Sequence, residues 1–212
     1  MLHWLLLWVD EDHIIEGGPP AKLIPLQRQM PCISRVVVLD FDGTLFCGSI
    51  SSTDVRVLKA DDRRKKFFEQ GAFLTRFIPA VRRRHHKLCI ASFAERSCDD
   101  PTVQEDIQLM LDSILPEGRD YLIDPLTEFA CWQANNGKNA HIEWLLQQAV
   151  LRQEGDFEAR HVVLVDDSAE NVEAAQQRGF HAFHCPNGLC STWYKSQWRL
   201  QILLGVRWQD VQ

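Results

Sequence analysis

Val36-Val37-Val38-Leu39-Asp40-Phe41-Asp42-Gly43-Thr44-Leu45 is the stretch whose reading decides the fold. Its first four residues form an unbroken apolar run, mostly β-branched, without the alternation of a strand that has one wet face. A strand buried on both faces reads this way, and such strands belong to parallel sheets covered by helices. Two acids, Asp40 and Asp42, follow at the strand's carboxyl end, and Gly43 supplies a turn.

Outward from this strand the same pattern recurs. Leu88-Cys89-Ile90-Ala91 reads as a second buried strand, Tyr121-Leu122-Ile123 as a third, residues 161–165 as a fourth and 180–185 as a last. Between them lie helical patterns. Leu74, Phe77, Ile78 and Val81 repeat at i, i+3, i+4 and i+7 and predict an amphipathic helix over 66–84. Further helices are expected over 103–114, around Ile142, Leu145, Leu146, Ala149 and Val150, and from a Ser168 cap to Gly179. Strands alternating with helices imply βαβ units. The expected fold is therefore α/β, a Rossmann-like parallel sheet flanked by helices, with ligands bound at the carboxyl ends of the strands.

Residues 10–34 contain Gly17-Gly18-Pro19-Pro20, Pro25 and Pro31, a linker composition. The organisation expected is an apolar N-terminal segment and linker over 1–34, the main domain over 35–186, and a C-terminal helical extension over 187–212. Trp193, Tyr194, Trp198 and Trp208, with the apolar residues 200–204, should pack that extension onto the domain. The apolar run over 1–9 is ended by Asp10, Glu11 and Asp12, well short of the roughly 20 residues of a membrane span. It also lacks the basic start and cleavage site of a signal peptide.

With 212 residues, 45% apolar and 25% charged, the composition is that of a globular chain able to bury a substantial core. A formal net charge of −6 leaves no electrostatic excess for gripping nucleic acid. The seven cysteines, Cys32, Cys47, Cys89, Cys98, Cys131, Cys185 and Cys190, are scattered and include no CxxC pair. They read as reduced thiols of an intracellular, cytoplasmic protein.

Every acid of interest follows a buried strand: Asp40 and Asp42 after the first, Asp166 and Asp167 after the run Val162-Val163-Leu164-Val165. The topology gathers them at one edge. Two unit charges about 4 Å apart repel by roughly 4 kcal/mol at an effective dielectric near 20, so a cation must offset the crowding. Oxygen-only ligands favour a hard ion such as Mg²⁺, which leaves positions open for water and phosphate.

Residues 36–45 resemble the first motif of the haloacid dehalogenase superfamily, a strand followed by DxDGT and Leu or Val. Ser92 after Leu88-Cys89-Ile90-Ala91 resembles the second motif, Lys138 the third, and Val162-Val163-Leu164-Val165-Asp166-Asp167 the fourth. Lys138 is the only lysine between Ser92 and Asp166. The resemblance spans residues 35–186 and implies a Mg²⁺-dependent phosphomonoester hydrolase. Asp40 would be the nucleophile, Asp42 the general acid and base, and Thr44, Ser92 and Lys138 the phosphate-binding residues. The metal would be held by Asp40, by the backbone carbonyl of Asp42 and by a fourth-motif acid, mapped to Asp167 with Asp166 acting directly or through water. Asn171 would help orient that loop. Dehalogenases of the family lack the second acid of the first motif, so Asp42 favours a phosphatase.

Members acting on small metabolites usually carry a cap domain. Here the intervals 42–66 and 125–137 leave room only for a flap and a loop, so no sizeable cap is expected, and an open site suits a large phosphorylated substrate such as a phosphoprotein. Alternatives are a small-metabolite phosphatase or phosphotransferase of the same fold, or a non-catalytic phosphoprotein-binding module, in which a general acid has no purpose. A receiver domain also gathers acids, a hydroxyl and a lysine, but no second acidic pair follows its lysine. The basic runs 82–87 and 61–66 read as solvated helix ends. His181, His184, Cys185 and Cys190 do not read as a zinc site, since residues three apart on a strand face opposite ways.

Overall fold

A computed structural model of the chain describes residues 34–93, 101–115, 129–131, 137–151 and 157–212, all within one compact unit. Among them are five strands: β1 (Val36–Asp40), β2 (Lys87–Ser92), β3 (Phe129–Cys131), β4 (Val162–Asp166) and β5 (His181–His184). They form one sheet in the order β3-β2-β1-β4-β5, and every neighbouring pair is parallel. The chain runs outward from β1 through β2 to β3, then returns to the other side of β1 for β4. Strand order reverses beside β1, and a crevice opens at the carboxyl ends of strands at such a point.

The continuous apolar run of β1 serves two cores. Val37 and Leu39 join one face, with Phe73, Leu74, Phe77, Ile107 and Leu111, while Val36 and Val38 join the other, with Ile142, Leu145 and Val172. All four β1 side chains are fully buried, and full burial of such a side chain is favourable by about 1.5–3 kcal/mol. Helices α1 (Ala60–Arg64), α2 (Leu74–Arg83), α3 (Pro101–Asp112), α4 (Lys138–Leu151) and α5 (Ala169–Gln177) flank the sheet. α5 starts as expected at Ser168, whose hydroxyl accepts from the Asn171 amide.

One expectation needs correction, and two others fall outside the described residues. The helix expected over 66–84 is α2, which begins only at Leu74. Before it lies a 3-10 turn, Phe68–Gly71, in which Glu69 and Gln70 adopt left-handed φ of 49° and 54°. Tertiary contacts outweigh the local helical pattern there. The Glu69 carboxylate accepts from the backbone amide (3.1 Å) and the hydroxyl of Ser191, and the Phe67 ring is wedged against Phe41 and Phe46. Gly71 lies so close to Ile114 that a Cβ would come within 2.5 Å of that side chain.

The C-terminal residues form two short helices, α6 (Ser191–Ser196) and α7 (Trp198–Leu204), followed by the 3-10 turn Trp208–Val211. The helices break at Gln197, which has φ −92° and ψ 64°. Tyr194, Leu200, Leu204, Val206 and Val211 are buried in the same core as Val37 and Leu39. Tyr194 lies against Phe73 and Phe77, with ring centroids 5.4 and 5.1 Å away, and its hydroxyl donates to the Val206 carbonyl at 2.6 Å.

The strand expected at 121–123 and the N-terminal segment and linker over 1–33 lie outside the described residues. No helix among the described residues is long and apolar enough to cross a membrane. The cysteines that are described, Cys47, Cys89, Cys131, Cys185 and Cys190, are free thiols.

Candidate active site

Each acid owes its position to the end of a buried strand. Asp40 is the last residue of β1 and Asp166 the last of β4, with Asp167 directly after it. Because β1 and β4 pair in parallel, their carboxyl ends coincide. Oxygens of Asp40, Asp166 and Asp167 lie within 4.8 Å of one another, and no other cluster of acidic, His or Cys side chains among the described residues could hold a metal ion. Four converging carboxylates were expected, and three converge. The carboxylate of Asp42 is turned instead toward the segment after β1, where it accepts from the Ile50 amide at 2.9 Å and the Ser49 hydroxyl at 3.5 Å.

Ser92 ends β2, and its hydroxyl is buried with no hydrogen-bond partner among the described residues. A buried hydroxyl without a partner is costly, by about 1–3 kcal/mol, unless something else supplies one. Lys138 is the first residue of α4 and is 1% exposed. Its ammonium donates to Asp40 Oδ1 at 2.5 Å and to the Ala91 carbonyl at 3.0 Å.

Thr44, expected at the phosphate, is fully buried, and its hydroxyl donates to Asp167 Oδ1 at 3.4 Å. Its hydroxyl thereby supports the acid. Asp166 accepts from the Ser168 amide at 2.8 Å, and both of its oxygens accept from Asn171 Nδ2, at 3.1 and 3.2 Å. Asn171 thus ties the start of α5 to the end of β4. Gly43 has φ +77°, and a Cβ there would come within 2.2 Å of Asp167 Oδ2. Only glycine lets the turn after β1 approach that carboxylate so closely.

Burial dominates the electrostatics. It raises the Asp40 carboxyl from 3.8 to about 7, against the opposing pull of Lys138 and with further upward pushes from Asp166 and Asp167. Asp166 is raised chiefly by burial, although Lys138, Asn171 and the Ser168 amide favour its ionised form. Burial likewise raises the Asp42 carboxyl from its ordinary value, against the Ile50 amide, Lys138 and the Ser49 hydroxyl. One lysine therefore does not compensate this group of acids. Burial also lifts the Cys131 thiol to about 12 and the Cys185 thiol higher still, so both are inert at neutral pH.

One neighbour escaped the sequence reading. Phe93, immediately after Ser92, sets its ring 4.1 Å from the Lys138 ammonium. The basic residues Arg82, Arg83 and Lys87 lie at the end of α2 and the start of β2, which is the opposite edge of the sheet from the acids. His181 and His184 do not join a metal cluster, and His184 Nε2 donates to the Asp167 carbonyl at 2.9 Å. The arrangement can bind a cation and an anion side by side, and it presents a carboxylate to whatever lies between them. No family model and no curated protein matches the chain.

Proposed function

We propose that this chain is a magnesium-dependent phosphomonoesterase of the haloacid dehalogenase type that works through a phospho-Asp40 intermediate. The observation that carries the reading is the meeting of Asp40, the buried Lys138 ammonium and the unpartnered Ser92 hydroxyl at one sheet edge. A phosphoryl group would satisfy both of the latter.

The residues also fit a hard divalent cation. Three carboxylates converge with only oxygen donors, and burial disfavours the ionised forms of Asp40 and Asp166 in the absence of further positive charge. Asp40, Asp167 and the Asp42 backbone carbonyl would hold Mg²⁺, with Asp166 binding directly or through water. When bound, the ion would neutralise phosphoryl oxygens and lower the mutual repulsion of the acids.

The protein's own groups then divide the chemistry. An Asp40 oxygen attacks phosphorus, forming the O–P bond of an acyl phosphate as the bond to the leaving oxygen breaks. Lys138 and Ser92 bind the phosphoryl oxygens where charge develops. Asp42 delivers a proton to the leaving oxygen, a role that suits its raised pKa, and then accepts one from the water that attacks phosphorus and frees Asp40.

An open site suited to a large phosphorylated substrate, such as a phosphoprotein, is supported by the interval before α2. It holds only two 3-10 turns, Ile50–Ser52 and Val55–Val57, the five-residue α1 and the turn Phe68–Gly71. None of these is a cap domain. The test is hydrolysis of an aryl phosphate and of a phosphopeptide panel by purified protein, with chelator and with Mg²⁺ restored. Activity that needs Mg²⁺ and vanishes in Lys138→Met supports the proposal, and full activity in chelator overturns it.

A further inference from the structure

We propose that Phe93 is a positioning residue for Lys138, a π-face that fixes the ammonium while leaving one of its donors free to be taken by the phosphoryl group. The inference rests on the phosphatase reading for its functional consequence, but its physical core does not.

A lysine ammonium has three N–H donors. In this site two of them are spent, on Asp40 Oδ1 at 2.5 Å and on the Ala91 carbonyl at 3.0 Å. The remaining one lies in a pocket that is 1% exposed, so water cannot serve it freely. The ring of Phe93 occupies that side, with its centroid 4.1 Å from Nζ, well inside the roughly 6 Å over which an aromatic face attracts a cation. The ring is itself held in place. Its centroid lies 5.0 Å from that of His141 at an interplanar angle of 47°, and His141 is fully buried one turn after Lys138 on α4. A single face of α4 therefore carries the ammonium and the clamp for the ring beneath it.

The chemistry of this choice is specific. A backbone carbonyl or carboxylate in place of the ring would bind the third N–H strongly and compete with the substrate. An aliphatic side chain would leave a desolvated N–H with nothing. A quadrupole holds the cation more weakly than a charge-assisted hydrogen bond does. An arriving phosphoryl oxygen can therefore displace the ring as third partner, while in its absence the ammonium stays aimed at the site. Adjacency to Ser92 makes this economical: one residue of β2 ends in the phosphate-binding hydroxyl and the next supports the phosphate-binding cation.

The test uses the full-length chain with phenylalanine at position 93 replaced by mono-, di- and trifluorinated phenylalanine, which keep the ring's size and drain its π-face. The inference predicts a stepwise fall in the urea midpoint across the series. It also predicts a stepwise fall in kcat/KM for an aryl phosphate, reaching about tenfold for the trifluorinated ring. Phe93→Leu should fall at least as far, and Phe93→Trp should restore most of the activity. Flat stability and kcat/KM across the fluorinated series would overturn the inference, since a purely space-filling ring does not respond to fluorination. Stability that falls stepwise in a protein with no phosphatase activity would instead uphold the platform and overturn the phosphatase reading.

Discussion

Asp40→Asn offers the sharpest energetic check on the acidic cluster, because the proposed nucleophile is also an expensive charge to bury. Burial and the neighbouring acids raise its carboxyl from 3.8 to about 7 even with Lys138 beside it. Between those values the folded protein retains a proton that the unfolded chain has released, so stability falls as pH rises through the window. At about 1.36 kcal/mol per pH unit, the shift sets the loss at about 4 kcal/mol by pH 8 in metal-free protein. Asparagine has no proton to lose. In chelator, urea unfolding from pH 4 to pH 8 should show wild-type stability declining relative to Asp40→Asn, by an amount approaching that figure. Asp42 slopes in the same direction in both proteins and largely cancels in the difference, while Asp166, which repels Asp40, is relieved in the variant and adds to it. Adding Mg²⁺ at pH 8 should restore wild-type stability, by about 2.7 kcal/mol at a hundred times the Kd, and should do little for the variant. Parallel curves for the two proteins would refute the claim that Asp40 is a desolvated, under-compensated carboxylate.

The other predictions address single contacts. Ser92→Ala removes a hydroxyl with no partner among the described residues, so urea stability should hold or rise while kcat/KM for an aryl phosphate falls about tenfold or more; a clear loss of stability would show that the hydroxyl has a structural partner. Gly43→Ala should cost about 1–2 kcal/mol for the left-handed φ and, by pushing Asp167 aside, should raise the Mg²⁺ concentration needed for half-maximal activity about 10- to 100-fold; an unchanged Mg²⁺ midpoint would separate Asp167 from the metal. His86 accepts from the Arg35 amide through Nδ1 and donates through Nε2 to the Leu204 carbonyl. Burial and the charges of Arg35, Arg84 and His85 hold it neutral, with its pKa below 6.5. The unfolded chain therefore gains a proton first as pH falls, and wild type should lose stability relative to His86→Asn below pH 6.5, with no relative change above it.

What the sequence disclosed, and what it concealed, follows from the range of each interaction. Val36 to Leu39 and Val162 to Val165 are buried on both faces, and that condition is written in consecutive residues. Placing acids directly after such runs was enough to bring Asp40, Asp166 and Asp167 together, because parallel pairing aligns strand ends. The orientation of Asp42 was not legible, since its partners are Ser49 and Ile50 in a segment whose conformation has no periodic signature. Nor was the start of α2, where a carboxylate–Ser191 contact spanning 122 residues imposes left-handed backbone on Glu69 and Gln70. β3 has only three residues and no β-branched run, so its pattern was too short to register. Phe93 looked like any aromatic after a strand. Its meaning depends on Lys138, which reaches it only once α4 folds back onto the sheet.

The central claim is a covalent one, and it can be read directly. Asp42→Asn should phosphorylate slowly but dephosphorylate more slowly still with nitrophenyl phosphate, whose leaving group needs no proton. Acid quench of that variant in Mg²⁺, followed by peptide mass mapping, is predicted to find a stoichiometric, base-labile phosphate on the peptide carrying Asp40, and none when Asp40 is also replaced by Asn. Turnover of the wild-type protein with no phosphate on Asp40 in the trapped variant, or with phosphate on another residue, would contradict the account.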